Sequence, residues 1–148
     1  MRTAGRLIGL DLGSSRIGVA VSDGGQTVAT PVDTLRRQAD PEYDHRSIAD
    51  LVKSYDAVGV VVGLPLSLSG AQGPAARRVL AEVESLRHLV GVDVDVVDER
   101  LTTVVAAGTL RTTGVRGRRQ RRVIDQTAAV LILQTWLDGR STRDQVVG

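Results

Sequence analysis

Leu7-Ile8-Gly9-Leu10-Asp11-Leu12-Gly13-Ser14-Ser15-Arg16-Ile17-Gly18-Val19-Ala20-Val21 sets two apolar runs around a four-residue cluster of turn formers. Leu7 to Leu12 and Ile17 to Val21 are short, nearly continuous apolar segments of the kind that form strands, and Gly13 to Arg16 links them as a β-hairpin. A second turn cluster, Ser22 to Gly25, precedes a third strand over Val28 to Leu35, in which Pro31 predicts an edge or bulge position. Beyond it the pattern changes. Glu42 to Tyr55 carries Ile48, Ala49, Leu51, Val52 and Tyr55 at helical spacing and is followed by the β-branched run Val58 to Val62. Gly70 to Leu89 reads as a second helix, with Ser69 a possible cap, Val92 to Val97 as a strand, and Thr102 to Leu110 as a third helix. Val123 to Leu137 is long and apolar enough for a buried helix. Because helical crossovers join parallel strands, this order predicts an α/β fold: three antiparallel strands, then two parallel ones, in a mixed sheet with helices on both faces.

The 148 residues suit one domain over 1–138, with 139–148 as a frayed tail. The longest apolar stretch, Ala57 to Leu66, is too short to cross a bilayer. Met1 to Arg6 lacks the apolar region and small-residue cleavage site of a signal peptide, so a cytoplasmic location is expected. The absence of cysteine excludes a disulfide framework, a thiolate zinc site and a cysteine nucleophile. With Tyr43, Tyr55 and Trp136 as the only aromatics, an aromatic base-stacking platform is not expected either.

Of the 19 basic residues, 18 are arginines, and six of these lie between Arg111 and Arg122 without an intervening acid. One reading is a solvated loop in an Arg-rich chain. The other is a strip that binds a polyanion.

Three carboxylates stand against apolar segments. Asp11 lies between Leu10 and Leu12, where a carboxylate is costly to desolvate unless backbone N–H groups of the glycine turn or a bound cation compensate it. Asp98-Glu99 ends a strand, the position at which ligand sites gather in open sheets, although a salt bridge with Arg100 is a simpler reading. Adjacent strand residues face opposite ways, so the two acids are not expected to share one site. Asp125 opens the last apolar helix, either as an N-cap or as a functional group. Carboxylates from separate elements, with no histidine pair, suit a hard cation such as Mg²⁺ or Mn²⁺, and two such ions can support phosphodiester hydrolysis. Serine catalysis lacks support, because His45 and His88 read as ordinary surface residues of helices. Val60 to Pro65, continuing through Ser67 to Gly73, reads as a strand running into a glycine-rich loop before a helix.

G-L-D-L-G-S-S-R-I-G-V-A-V-S-D (9–23), V-V-V-G-L-P (60–65), D-E-R-L-T-T (98–103) and I-D-Q-T-A-A-V-L-I-L-Q (124–134) together resemble the bacterial YqgF, or RuvX-like, family over nearly the whole chain. That resemblance implies a ribonuclease H-like fold and a nuclease acting at the 5′ end of 16S ribosomal RNA precursors, with Holliday-junction resolution as the alternative. It implies an acidic, metal-holding site at Asp11, Glu99 and Asp125, which selects Glu99 over Asp98. Members commonly carry Lys where this chain has Ser15, and a Lys-rich segment where it has Arg116 to Arg122.

The expected nucleic-acid contacts are Arg16, Arg100, Arg116, Arg118, Arg119, Arg121 and Arg122. Pre-rRNA or branched DNA is the expected partner, with the ribosome as a further one, and the chain is expected to act as a monomer or homodimer. Two other classes compete. D-L-G-x-x-x-x-G-V-A also resembles the first phosphate loop of actin-like ATPases and sugar kinases, but the chain has length for one such domain and no second copy of the loop. A catalytically silent nucleic-acid-binding module is the other alternative, against which retention of all three acids argues.

Overall fold

The hairpin forms as two antiparallel strands, β1 (Leu7–Leu12) and β2 (Arg16–Ser22), registered so that Leu10 faces Val19 and Asp11 faces Gly18. The computed structural model describes residues 1–101 and 125–139. Strand β3 (Ala29–Arg36) pairs with β2, and β4 (Gly59–Leu64) and β5 (Asp93–Asp98) extend the other side of β1 in parallel. The sheet order is β3-β2-β1-β4-β5. Pro31 lies on an edge strand, and the pairing slips between Val19 and Ala20 opposite it. A residue that cannot donate to the ladder is thereby accommodated.

Helices α1 (Pro41–Ser54) and α2 (Pro74–Val90) cover one face, and α3 (residues 125–139) covers the other. Side-chain alternation sorts the strands between these layers. Ile8, Leu10, Ile17, Val19, Val60 and Val62 turn toward α1 and α2, whereas Leu7, Ala20 and Val61 meet Ala129, Ile132 and Leu133 of α3. With both faces covered, β1 and β4 have no solvent side, which is why they read as unbroken apolar runs. Each fully buried Leu, Ile or Val contributes roughly 1.5–3 kcal/mol.

Several boundaries differ from expectation. Helix α1 starts one residue early, because Pro41 occupies the first turn and the Asp40 carboxylate accepts from the Glu42 N–H at 3.0 Å. Helix α2 starts at Pro74, not Gly70. Residues 67–71 form a turn of their own, in which Gly70 N–H donates to the Ser67 carbonyl and Ser67 Oγ accepts from Ala71 N–H. Gly70 there has φ +87°, outside helical geometry. Ser69 is accordingly not a helix cap; its hydroxyl bonds that of Ser67. Helix α3 extends through residue 139, one position into the segment read as a tail. The expected helix Thr102–Leu110, the Arg111–Arg122 run and the rest of the tail lie outside the described residues.

His45 departs from the surface reading. It is 9% exposed, and its Nε2 lies 2.8 Å from Glu82 Oε2. It stands one turn before Ile48 on the stripe that α1 turns inward, so the periodicity that located the helix also located this histidine.

Candidate active site

Asp11 lies on the face of β1 covered by α3, where the strand rows are shaped by glycine. Gly18 is its cross-strand neighbour, and continuing the β1–β4 register one step past Leu10↔Val62 sets Gly63 on its other side. Both positions lie under elements that leave no room for a side chain. A methyl group on Gly18 would run into the Asp125 backbone carbonyl, and one on Gly63 would meet Ile132 Cδ1 at 2.5 Å. The bare strands let α3 settle close to the sheet and lay Asp125 over the β2 row beside Asp11.

Glu99 arrives from the opposite side. It follows β5 by one residue and opens a 3₁₀ turn, Glu99–Leu101. Its Oε2 lies 3.5 Å from where a Gly63 Cβ would be, so it occupies the same end of the same face. Asp98 does not join it. The Asp98 carboxylate accepts from Arg100 Nε at 2.8 Å and Nη2 at 2.5 Å, and these hydrogen bonds hold it below the usual carboxylate range. The alternative reading of an acid paired with Arg100 thus describes Asp98, and the two acids do not share a site, Asp98 ending the strand and Glu99 opening the 3₁₀ turn.

Electrostatics ties the three carboxylates together. Burial pushes the Asp11 carboxyl up to about 7, and the negative charges of Glu99 and Asp125 add to the effect. Nothing among the described residues offsets this rise. Asp125 is engaged by Arg16, whose Nε donates to Asp125 Oδ2 at 2.5 Å. Among the described residues, no three acids or histidines are already drawn onto one point in ligating geometry. The acids are neighbours, and one of them is held by an arginine.

This donor set fits a hard dication. It is carboxylate throughout, it is partly screened from water, and Asp11 is strained electrostatically in a way that a positive charge would relieve. Asp11, Glu99 and Asp125 would be its ligands. Of the expected nucleic-acid contacts, Arg16 meets this cluster through Asp125, whereas the Arg100 side chain turns to Asp98 and donates from Nη1 to the Leu68 carbonyl, tying the loop after β4 to the end of β5. Arg116, Arg118, Arg119, Arg121 and Arg122 fall outside the described residues.

Sequence reasoning missed Arg37, Asp44 and Glu82, which meet His45 between α1 and α2. They come from the segment after β3, from α1 and from α2, and no local motif signals their meeting.

The RuvX family model, described as Holliday junction resolvase, matches residues 5–139. The chain belongs to the RuvX family. Relatives named "Putative pre-16S rRNA nuclease" include one from Mycobacterium sp. (strain KMS), 51% identical over 92% of this chain and 81% of its own length. Another, from Rhodococcus opacus (strain B4), is 54% identical over 93% of this chain and 79% of its own length. Among solved structures, RuvC of T. thermophilus in complex with a Holliday junction substrate matches with a TM-score of 0.57 at 17% identity, covering 92% of this chain and 96% of that one. A second Thermus thermophilus RuvC structure gives 0.56 at 15% identity, covering 93% and 96%. The ribonuclease H-like fold expected from the sequence is the fold that this RuvX nuclease adopts. Among its described residues no helix is long and apolar enough to cross a membrane.

Proposed function

We propose that this RuvX chain hydrolyses phosphodiester bonds at the acidic cluster, with Asp11, Glu99 and Asp125 holding Mg²⁺ or Mn²⁺, and that its substrate is the 5′ end of a 16S rRNA precursor. The observation that carries the reading is the Asp11 row, where carboxylates from β1, the end of β5 and α3 crowd one end of the sheet, and burial together with the charges of Glu99 and Asp125 raises the Asp11 pKa. The bound ions would activate water and stabilise the leaving oxygen. The chain's own groups do the rest. Gly18 and Gly63 set the depth at which α3 presents Asp125. Arg16, on Asp125, sets positive charge beside the cluster for the backbone phosphates, and Arg100 and the Arg116–Arg122 segment would extend that role along the substrate.

The substrate assignment rests on the relatives named for pre-16S rRNA. The family model's own description favours a second reading, resolution of four-way DNA junctions, which for a two-fold substrate calls for a dimer. A side-by-side cleavage assay decides between them, offering a precursor rRNA leader and a four-way junction with Mg²⁺ and with Mn²⁺. Cleavage of the leader, lost in Asp11→Asn with binding retained, is the expected result. Junction cleavage alone would overturn the substrate assignment, and an Asp11→Asn variant cutting at the parental rate would remove Asp11 from the site.

A further inference from the structure

Arg37 lies just beyond β3, on the side of the sheet away from α3, yet its contacts converge on the turn that carries the site. Its Nε donates to the Gly13 carbonyl at 3.0 Å, and its backbone N–H donates to the Ser15 carbonyl at 2.9 Å. Gly13 is two residues beyond Asp11, and Ser15 immediately precedes Arg16, which grips Asp125. One residue therefore holds both ends of the β1–β2 turn, between the carboxylate of β1 and the arginine that meets α3.

The guanidinium is itself fixed. Nη1 and Nη2 fork onto Glu82 of α2 at 2.5 and 2.8 Å, a bidentate geometry that determines the plane of the group as well as its position. His45 of α1 reaches the same carboxylate at 2.8 Å, and Asp44 Oδ2 lies 3.7 Å from Arg37 Nη1. Asp44 also accepts from the Gln38 N–H at 3.0 Å, anchoring the chain just past Arg37. The four side chains are buried or half-buried, and their mutual contacts bind both helices to one arginine.

We propose that Arg37 is a positioning residue for the cleavage site: clamped by Glu82, His45 and Asp44, it fixes the β1–β2 turn and with it the placement of Asp11 relative to Arg16 and Asp125. The inference rests on the metal-holding role proposed for the three acids. A purely architectural arginine would need to reach the helices only. This one also sends its side-chain Nε to the Gly13 carbonyl, while its backbone N–H meets the Ser15 carbonyl.

The test compares Arg37→Lys, which keeps the charge but loses the fork, with Glu82→Gln, Asp11→Asn and Ile48→Val. The last weakens α1 packing without touching the turn. Three quantities are read well below the melting temperature: the Mn²⁺ dissociation constant from the spin-resonance signal of free Mn²⁺, amide exchange over residues 13–18, and kcat against KM for cleavage. Arg37→Lys is expected to weaken Mn²⁺ binding about 10-fold, the scale seen when groups that orient metal ligands are removed. It is also expected to speed exchange in the turn and to lower kcat with KM little changed. Glu82→Gln should move the same quantities less, and it serves as the reporter if Arg37→Lys does not fold. Parental Mn²⁺ affinity and turn exchange in whichever of the two folds would overturn the clamp, as would equal changes in Ile48→Val. Unchanged Mn²⁺ binding in Asp11→Asn would instead sink the metal reading, while turn exchange would still report on the clamp.

Discussion

Two polar clusters lie on opposite faces of the same sheet and are balanced in opposite ways. Between α1 and α2, Glu82 is pushed up by burial, but hydrogen bonds from Arg37 and His45 more than offset this and hold its carboxyl below the ordinary value. Under α3, Asp11 is pushed up by burial and then further by Glu99 and Asp125. The first cluster supplies its own cation, Arg37, and its carboxylates are paired as folded. In the second, nothing among the described residues offsets the rise at Asp11, and a bound cation would relieve it at the point where chemistry is proposed.

The largest expected effect comes from breaking the balanced cluster. Glu82→Ala leaves Arg37 half-buried without its bidentate partner and should cost about 3 kcal/mol in chemical denaturation, because an orphaned buried charge is worse than none. Mn²⁺ addition should come next, acting on the other face: at about 100 times its dissociation constant it should stabilise the protein by about 2.7 kcal/mol, and Asp11→Asn should abolish most of that gain. Without metal the same substitution should have the opposite sense. Because the folded pKa of Asp11 is raised, its ionisation favours folding least at high pH: the contribution is intact below about 3.8 and is lost as pH rises through about 7. Asp11→Asn should therefore be more stable than the parent at pH 8, and the difference should vanish near pH 4. A variant less stable than the parent at pH 8 would contradict the account of Asp11. Glu82 works in the other direction, contributing stability above the ordinary 4.5 and losing it as pH falls through its lowered value, so Glu82→Gln should flatten the acid limb of the stability curve. The smallest effect belongs to Asp98→Asn, which lies outside both clusters and should leave Mn²⁺ affinity little changed.

The sheet was legible because its signals are local. Two apolar runs about Gly13–Arg16 specify a hairpin, and the Val60–Val62 run specifies a strand covered on both faces. Pro31 marked an edge and its irregularity before any pairing was known. The three acids were conspicuous for the same reason, as charges set among apolar neighbours; alternation said that Asp98 and Glu99 would not share a site, and the family resemblance chose Glu99. The start of α2 was not legible, since Gly70 and Pro74 are both compatible with a helix boundary and the Ser67 turn decides between them. The Arg37 cluster was hidden more deeply: Arg37 and Glu82 are 45 positions apart and meet only after α1 and α2 have packed. His45 could have been found by following the apolar stripe of α1 instead of judging the histidine by its type.

The glycines under α3 carry a consequence for how such a site can vary. Gly18 and Gly63 locate the helix by the atoms they lack, and a missing atom has no rotamer, no flexibility and no smaller substitute. Every replacement on the sheet side is an addition, so the sheet serves as a fixed datum. The helix is the adjustable part: exchanging Ile132 or Leu133 for residues of other sizes would tilt or lift it, and with it Asp125, by small graded amounts. The proposed cleavage geometry would therefore be tuned from the helix, against a floor that permits only contact or collision.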